Sequence, residues 1–185
     1  IIDHDILTII NKNTFGKNTV VYGNLPYNIA TKILSSLILL KKWPPWYEIL
    51  ILMFQKEVAE RILAKEKTRK FNRLAVLANW RFEIKKHFDI SNNCFLPKPK
   101  VVSTVLSFTP KKDNQFVLKN PKNLEKITRI LFSNRRKMIN KNFNKLFKAK
   151  KLIAKKLKIN LSKRPEELSF EMYYKIATEY EKLFK

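Results

Sequence analysis

The chain has 185 residues and a formal net charge of +24, from 39 Lys and Arg against 15 Asp and Glu. Hydrophobic residues make up 45% of it, so a core can be buried and disorder throughout the chain is excluded. A single cysteine excludes a disulfide framework, and with only two histidines a zinc-ligand cluster is excluded as well. The longest apolar stretch is residues 33–40, which is far shorter than the ~20 residues that span a membrane.

The predicted elements begin with a strand at Thr19–Gly23, a β-branched run that ends at a glycine. Residues 28–42 follow as a predicted helix with apolar side chains at three- and four-residue spacing, and Pro44 and Pro45 end it. Residues 48–54 are a continuous apolar run between two helices, which is typical of a central parallel strand covered on both faces. This order predicts an α/β domain with a mainly parallel sheet.

Further along the chain, helices are predicted over residues 55–65 and 73–80 and strands over residues 81–90 and 101–108. The proline-rich segment 95–99 separates these two strands and leaves no room for a crossover helix, so we expect them to pair antiparallel.

A second, helical region is predicted after a linker at residues 111–114. Helical periodicity dominates from there on, which divides the chain into domains at 1–110 and 111–185. The predicted helices span residues 123–133, 135–147, 149–158 and 170–183.

Positive charge is concentrated in the second region. Residues 1–110 carry 17 basic and 8 acidic side chains, whereas residues 111–185 carry 22 and 7. A codon bias towards lysine explains part of the total without any function, but it does not explain where the charge lies. We therefore expect a polyanionic partner, with nucleic acid favoured over an anionic membrane surface.

The residues best suited to chemistry are Asn24, Leu25, Pro26 and Tyr27, which directly follow the first strand, at the edge where open α/β sheets bind ligands. The exocyclic amine of adenine is a poor nucleophile because its lone pair is delocalised into the ring. The Asn24 side-chain oxygen and a backbone carbonyl near Leu25 or Pro26 would accept its two N–H groups and favour a pyramidal, nucleophilic nitrogen. Tyr27 offers a flat face to a base removed from its stack. A plain strand-to-helix turn with Asn24 as cap is the competing interpretation.

Five ordered segments resemble the KsgA-type rRNA adenine dimethyltransferases over nearly the whole chain. Among them is the proline-rich loop, which resembles the family's "FxPxPKVxS" pattern and continues to Ser103. The segments are Val21–Ile29, Met53–Arg61, Phe95–Val101, Phe132–Lys137 and Arg164–Ser169.

This resemblance implies a Rossmann-like, S-adenosylmethionine-dependent methyltransferase fold, with residues 1–110 as its C-terminal part and residues 111–185 as a small, all-α, basic rRNA-binding domain. It implies N6 dimethylation of adenines in small-subunit (16S) rRNA by a cytoplasmic enzyme of ribosome biogenesis. Asn24 would contact both the methyl donor and the target amine, and Phe95 would form a second aromatic wall opposite Tyr27. Asp5, with Asp3 as the alternative, would bind the adenine amine of S-adenosylmethionine.

The resemblance also implies a phosphate-binding face on the helical region, which docks small-subunit rRNA or the pre-ribosomal small subunit. A solvated helix surface is the competing interpretation for each lysine. The face would comprise Arg129, Arg135, Arg136, Lys137 and Lys141.

The glycine-rich loop of the family's methyl-donor site has no counterpart, because Gly16 and Gly23 are the only glycines. We therefore interpret the chain as a fragment that lacks the family's N-terminal third. We expect it to bind S-adenosylmethionine weakly or not at all, and to be inactive alone. An exposed apolar sheet edge should then favour non-native self-association.

Two other functions remain open at this point. A non-catalytic RNA-binding or ribosome-assembly factor on the same fold would keep the basic faces without needing Asn24 and Tyr27. An antibiotic-resistance methyltransferase acting on large-subunit rRNA would share the Asn24–Tyr27 and Phe95–Pro99 patterns. The matches at Phe132–Lys137 and Arg164–Ser169 favour the small-subunit branch.

Overall fold

The computed structural model describes residues 3–10, 15–16, 18–113 and 115–184. The chain forms two compact units, which we call the sheet unit (residues 1–63 and 81–113) and the helical unit (residues 64–80 and 114–185). Residues 64–80 thus group with the helical unit, although the sequence analysis placed them in domain 1–110. The division into domains 1–110 and 111–185 stays a prediction.

The strands lie in the first part of the chain and are separated by short helices. Single 3₁₀ turns occur at Asn92–Cys94, Phe132–Asn134 and Pro165–Glu167. In chain order the elements are α1 (Ile6–Ile9), β1 (Thr19–Asn24), α2 (Tyr27–Ile38), β2 (Tyr47–Gln55), α3 (Lys56–Ile62), α4 (Arg73–Arg81), β3 (Phe82–Ile90), β4 (Ser103–Pro110), α5 (Lys122–Leu131), α6 (Asn140–Leu146), α7 (Lys150–Lys156) and α8 (Phe170–Leu183).

The described strands form one mixed sheet in the order β1-β2-β4-β3. β1 pairs parallel with β2, whereas β4 pairs antiparallel with both β2 and β3. The expected antiparallel pairing of the last two strands is confirmed. The expectation of a mainly parallel sheet is wrong for these four strands, because the β3–β4 connection reverses the chain and returns β4 between β2 and β3.

Apolar side chains of β2 and β4 form the core of the sheet unit. Leu50, Leu52 and Phe54 of β2 alternate along the strand and are buried, as are Leu106 and Phe108 of β4. Full burial of such a side chain stabilises the fold by about 1.5–3 kcal/mol.

β1 lies at the margin of the described sheet. Its outward-facing side chains Val20 and Tyr22 are exposed. Self-association through this margin stays a prediction.

Helix α2 ends at Ile38, four residues before the predicted end. The guanidinium of Arg81 donates to the carbonyls of Ile38 and Leu40, each at 2.5 Å, and it stacks over the ring of Trp43 at 4.4 Å. These bonds satisfy carbonyls that a longer helix would have used internally. Burial lowers the pKa of Arg81 to about 10.

The helical unit is built around an aromatic cluster. Phe71 packs against Phe132, Phe170 and Tyr173 with ring centroids 5.1–6.3 Å apart, and Phe132 stacks on Tyr173 at 5.5 Å. The helix predicted over residues 135–147 begins only at Asn140, because residues 132–139 form a 3₁₀ turn and further turns instead.

Candidate active site

The predicted base-site residues Asn24–Tyr27 and Phe95 lie at one edge of the sheet. In the strand register Asn24 lies beside Met53, and Ser103 lies beside both Gln55 and Ile90. β1, β2 and β3 therefore end where β4 begins. The Asn24–Tyr27 segment and the β3–β4 loop, which carries Phe95, both leave the sheet at this edge.

Asn24 is the last residue of β1, and its side chain is exposed. Helix α2 has Pro26 as its N-cap residue and no side-chain cap, so the carboxamide of Asn24 is not used as a cap. Within the described residues this carboxamide has no hydrogen-bond partner. The cap interpretation of Asn24 is therefore wrong, and its side-chain oxygen is available to a ligand.

The backbone acceptor beside Asn24 is the carbonyl of Leu25. The Pro26 carbonyl already accepts the N–H groups of Ile29 at 3.1 Å and Ala30 at 3.0 Å, at the start of α2. In the part of the chain that the structure describes, the half-buried Leu25 has no such partner for its carbonyl. Of the two carbonyls left open by the sequence, only this one can accept a ligand N–H without breaking the first turn of the helix.

Tyr27 is held in place through its hydroxyl group. Its Oη lies 2.6 Å from Oγ of Ser103, the first residue of β4, and Ser103 is buried. Since Tyr27 is the first residue of α2, this bond fixes the half-buried ring between helix and sheet. The sequence analysis assigned no role to Ser103. What could have identified Ser103 is its place at the end of the "FxPxPKVxS" pattern that begins at Phe95.

Phe95 directly follows the 3₁₀ turn Asn92–Cys94 in the β3–β4 loop and is half-buried. Its loop ends at the serine that binds Tyr27, so the structure brings the two aromatic residues to the same edge of the sheet. The loop is anchored at its far end, where the Lys56 N–H donates to the Val102 carbonyl at 2.9 Å.

A charged cluster lies next to this edge on β3 and β4. The carboxylate of Asp89 pairs with Lys86 at 2.9 Å and Lys56 at 3.0 Å, and it accepts the Thr104 hydroxyl at 2.8 Å. The hydrogen bonds from Lys86, Thr104 and Lys56 hold the pKa of Asp89 well below its usual range, and the same contact raises the pKa of Lys56. The sequence analysis missed this cluster because Lys56 and Thr104 are far from Asp89 along the chain.

Asp5, the predicted cofactor ligand, is the exposed N-cap residue of α1. Its carboxylate accepts the Leu7 N–H at 2.9 Å. The described contacts do not link Asp5 to Asn24, and Asp3 is exposed as well. The role of Asp5 in cofactor binding therefore stays a prediction.

The glycines of the described residues do not form a cradle for the methyl donor. A Cβ at Gly16 would meet nothing within 4 Å, whereas one at Gly23 would lie 2.7 Å from Cδ2 of Leu52. Gly23 is thus needed for packing between β1 and β2. The described glycines therefore do not fit a glycine-rich cofactor loop.

The predicted RNA-binding residues of the helical unit fall into two groups. The guanidinium of Arg135 pairs with Glu166 at 2.8 Å and donates to the Arg69 carbonyl, so it is already used within the protein. Among the described residues, the other side chains are exposed and have no partner. These are Arg129, Arg136, Lys137 and Lys141.

Comparison with known proteins gives the family. The profile described as "Ribosomal RNA adenine dimethylase" matches residues 1–182. The chain belongs to this family. Its members use S-adenosylmethionine as methyl donor, so the expected enzyme class, an S-adenosylmethionine-dependent rRNA adenine methyltransferase, is confirmed by this membership.

The curated relatives point to the small-subunit branch. The chain is 48% identical over 183 residues to the "Ribosomal RNA small subunit methyltransferase A" of Pelagibacter ubique, covering 99% of the chain and 70% of the relative. It is 39% identical to the protein of the same name from Zymomonas mobilis, covering 99% of the chain and 65% of that relative. The chain thus spans about two thirds of the length of these relatives.

Solved structures confirm the methyltransferase fold. A dimethyladenosine transferase from Plasmodium falciparum superposes with a TM-score of 0.77 at 27% identity, covering 93% of this chain and 70% of that one. The 23S rRNA methyltransferase ErmE superposes with a TM-score of 0.64 at 16% identity, covering 98% and 71%. At that identity the likeness to ErmE shows the fold alone.

Across the described ranges, no helix is both long and apolar enough to cross a bilayer. In the same residues, no three His, Cys, Asp or Glu side chains gather as metal ligands.

Proposed function

We propose that this chain binds and activates the target adenine in the N6 dimethylation of small-subunit rRNA. One observation carries the proposal: the Asn24 carboxamide and the Leu25 carbonyl are both without a partner among the described residues, beside a tyrosine whose ring is fixed by Ser103. A strand-to-helix turn with no ligand would be expected to use these acceptors for its own caps.

The two acceptors act on the exocyclic nitrogen. Each accepts one N–H of the amine, which favours a pyramidal nitrogen whose lone pair is out of conjugation with the ring and free to attack a methyl group. S-adenosylmethionine supplies an electrophilic methyl group when bound. Fixed acceptors of this kind need no reorganisation as charge develops on the nitrogen, which is why they favour the reaction.

Tyr27 and Phe95 hold the extruded base. Stacking of a base on an aromatic ring contributes about 1–3 kcal/mol and does not depend on base identity. The acceptors therefore restrict the reaction to bases with an exocyclic amine, because such an amine can donate an N–H to each of them. In the second transfer the monomethylated amine has one N–H left and donates it to one of the two acceptors.

The helical unit supplies the salt-dependent part of RNA binding. Arg129, Arg136, Lys137 and Lys141 contact phosphates of small-subunit rRNA or of the pre-ribosomal small subunit, where that RNA is found in the cytoplasm. Arg135 acts instead by fixing the turn between α5 and α6 through Glu166.

Cofactor binding by these 185 residues is expected to be weak, because the described glycines form no cradle for it. Titration calorimetry of the chain with S-adenosylmethionine should give no measurable heat at micromolar concentrations. Micromolar binding would overturn this expectation and would leave the assignment of the base site unchanged.

The function is tested with the natural protein, S-adenosylmethionine and small-subunit rRNA that lacks methylated adenine. Mass spectrometry should detect N6,N6-dimethyladenosine in the digested small-subunit rRNA and not in large-subunit rRNA treated alike. Asn24→Ala should lower the rate of its formation by about 10²–10³-fold, the loss typical of one directed hydrogen bond in a transition state.

Asn144→Ala is the matched control for Asn24→Ala, because Asn144 is exposed on α6 and its loss should leave the rate unchanged. RNA affinity should be equal in all three proteins. If the unmodified protein binds the rRNA and forms no dimethyladenosine, the chain is the non-catalytic RNA-binding factor instead.

A further inference from the structure

Leu96 is the most exposed of the large apolar residues that the structure describes, with 99% of its surface accessible. It follows Phe95 in the β3–β4 loop, at the edge of the sheet that carries Asn24 and Tyr27. Single exposed leucines are common on protein surfaces and need no explanation by themselves. Leu96 differs from such leucines in its position at this edge and in the charges beside it, and both indicate a role in binding.

The backbone of the loop is held on both sides of Leu96. Pro97 and Pro99 fix their own φ angles, and the Pro99 carbonyl accepts the Asn92 side-chain N–H at 3.3 Å. On the other side of the tip, the Cys94 N–H donates to the Ser91 carbonyl at 3.1 Å. The conformational entropy of the tip is thus already low before any ligand binds.

The charges around Leu96 indicate which partner it meets. Lys98 and Lys100 are exposed on the same loop, and neither has an ion-pair partner within the described residues. An apolar side chain with two free cations beside it matches a nucleic acid, in which apolar base faces lie between phosphates. A purely apolar protein surface would leave both cations without a partner.

We propose that Leu96 is a positioning residue that enters the base stack where the target adenine has left it. The inference rests on the proposed function, since an adenine must leave its stack to reach Asn24 and Tyr27. Extrusion leaves a gap that exposes the faces of the two neighbouring bases and costs their stacking energy. An apolar wedge fills that gap, while Lys98 and Lys100 contact the flanking phosphates.

The test uses this chain and two RNAs. The first is a synthetic RNA hairpin with the target adenine inside a base stack and with 2-aminopurine in place of the base that follows this adenine. The second is an unstructured single strand of the same composition. Binding and fluorescence are measured for the unmodified chain, Leu96→Ala, Leu96→Met, Leu96→Lys and the matched control Leu152→Ala, which removes an exposed leucine from α7.

The unmodified chain should make the 2-aminopurine brighter, because extrusion of the target removes its stacking partner. Leu96→Ala should lose most of this signal, bind the hairpin about 10-fold more weakly and bind the single strand within 2-fold of the unmodified chain. Leu96→Met should retain the signal. Leu96→Lys should bind without producing it, and Leu152→Ala should behave as the unmodified chain.

The other outcomes would overturn either the wedge alone or both the wedge and the proposed function. Full brightening by Leu96→Ala, or an equal loss of affinity for both RNAs, overturns the wedge and leaves the proposed function intact. If the unmodified chain binds the hairpin and the 2-aminopurine stays dark, extrusion does not occur, and the proposed function and the wedge both fail. Because Leu96 is fully exposed, its replacement does not remove a core contact.

Discussion

The sheet edge at Asn24–Tyr27 and the turn at Arg135–Lys137 in the helical unit each place a residue with free polar groups beside one that is held within the protein. At the sheet edge, Asn24 and Leu25 keep free acceptors, while Pro26 and Tyr27 hold the segment through α2 and Ser103. In the turn, Arg135 is fixed by Glu166, and Arg136 beside it is free. In both regions, then, one residue positions its neighbour.

The regions differ in what the free groups can recognise. Two directed acceptors at a half-buried site select a base by hydrogen-bond geometry, and their effect depends little on salt. Exposed cations attract any phosphate, and their effect falls as the salt concentration rises. The sheet edge should therefore determine which base reacts, and the helical unit how tightly the RNA is held.

Of the substitutions that compare these two regions, Tyr27→Ala should have the largest effect. Tyr27→Ala removes the stacking face at the sheet edge and should lower kcat/KM for methyl transfer by about 10–100-fold, equivalent to the ~1–3 kcal/mol of one stacked base. The slope of RNA affinity against salt concentration should not change, because no phosphate contact is lost. A steep change in that slope would contradict the division of roles between the two regions.

The second-largest effect is expected at the adjacent residues Arg135 and Arg136, whose replacement should change different properties of the protein. Arg136→Ala should weaken RNA binding and lower the salt slope by about one unit, with the free energy of unfolding unchanged. Arg135→Ala should lower the free energy of unfolding by about 1–3 kcal/mol, because it removes charged hydrogen bonds to Glu166 and to the Arg69 carbonyl. Salt-dependent RNA binding and urea unfolding of both variants check this contrast, and equal behaviour of the two would refute it.

A smaller effect concerns the bond that holds Tyr27. Tyr27→Phe keeps the ring and loses the hydrogen bond to Ser103, which should cost about 1 kcal/mol of stability and a few-fold in kcat/KM. Ser103→Ala should have a similar effect. The double variant should lose no more than either single one, since both remove the same bond. Additive losses in thermal unfolding would show that the two side chains act separately.

The smallest effect concerns the charged cluster beside the sheet edge. The pKa of Asp89 is lower in the folded protein than the value of about 3.9 in unfolded chains. Its ionised form therefore stabilises the fold above about pH 4, and this contribution is lost as the pH falls through the folded-state pKa. The difference in unfolding free energy between the unmodified chain and Asp89→Asn should be constant above pH 5 and shrink below pH 4.

Asp113→Asn is the control for this pH profile, because Asp113 is exposed and makes no ion pair within the described residues. Its profile should follow that of the unmodified chain. A difference for Asp89→Asn that stays constant from pH 5 down to pH 2 would show that the carboxylate does not act through its charge.

Local patterns predicted the secondary structure well where packing agreed with them. The strand at Thr19–Gly23, the helix at residues 170–183 and the antiparallel hairpin of β3 and β4 appear nearly as expected. Periodicity failed where a distant contact intervened. Helix α2 stops early, where Arg81 binds the carbonyls of Ile38 and Leu40, and α6 starts late, after the turns at residues 132–139.

The family and the candidate base site could be reached from the order of short motifs, since Asn24, Tyr27 and Phe95 each lie in a recognisable segment. The motifs could not show which polar groups already have a hydrogen-bond or ion-pair partner within the protein. Whether Asn24 caps a helix, which carbonyl is free and which arginine is already paired depend on partners elsewhere in the chain.

The amino-acid sequence alone determined the α/β class, the excess of positive charge and the residue types at the site, because periodicity, composition and motif order are properties of the chain itself. Only the tertiary structure decided that Leu25 is the free carbonyl, that Ser103 anchors Tyr27 and that Arg135 is committed to Glu166. The physical reason is that a hydrogen bond requires two groups at close range, and folding sets the distance between residues far apart in the chain.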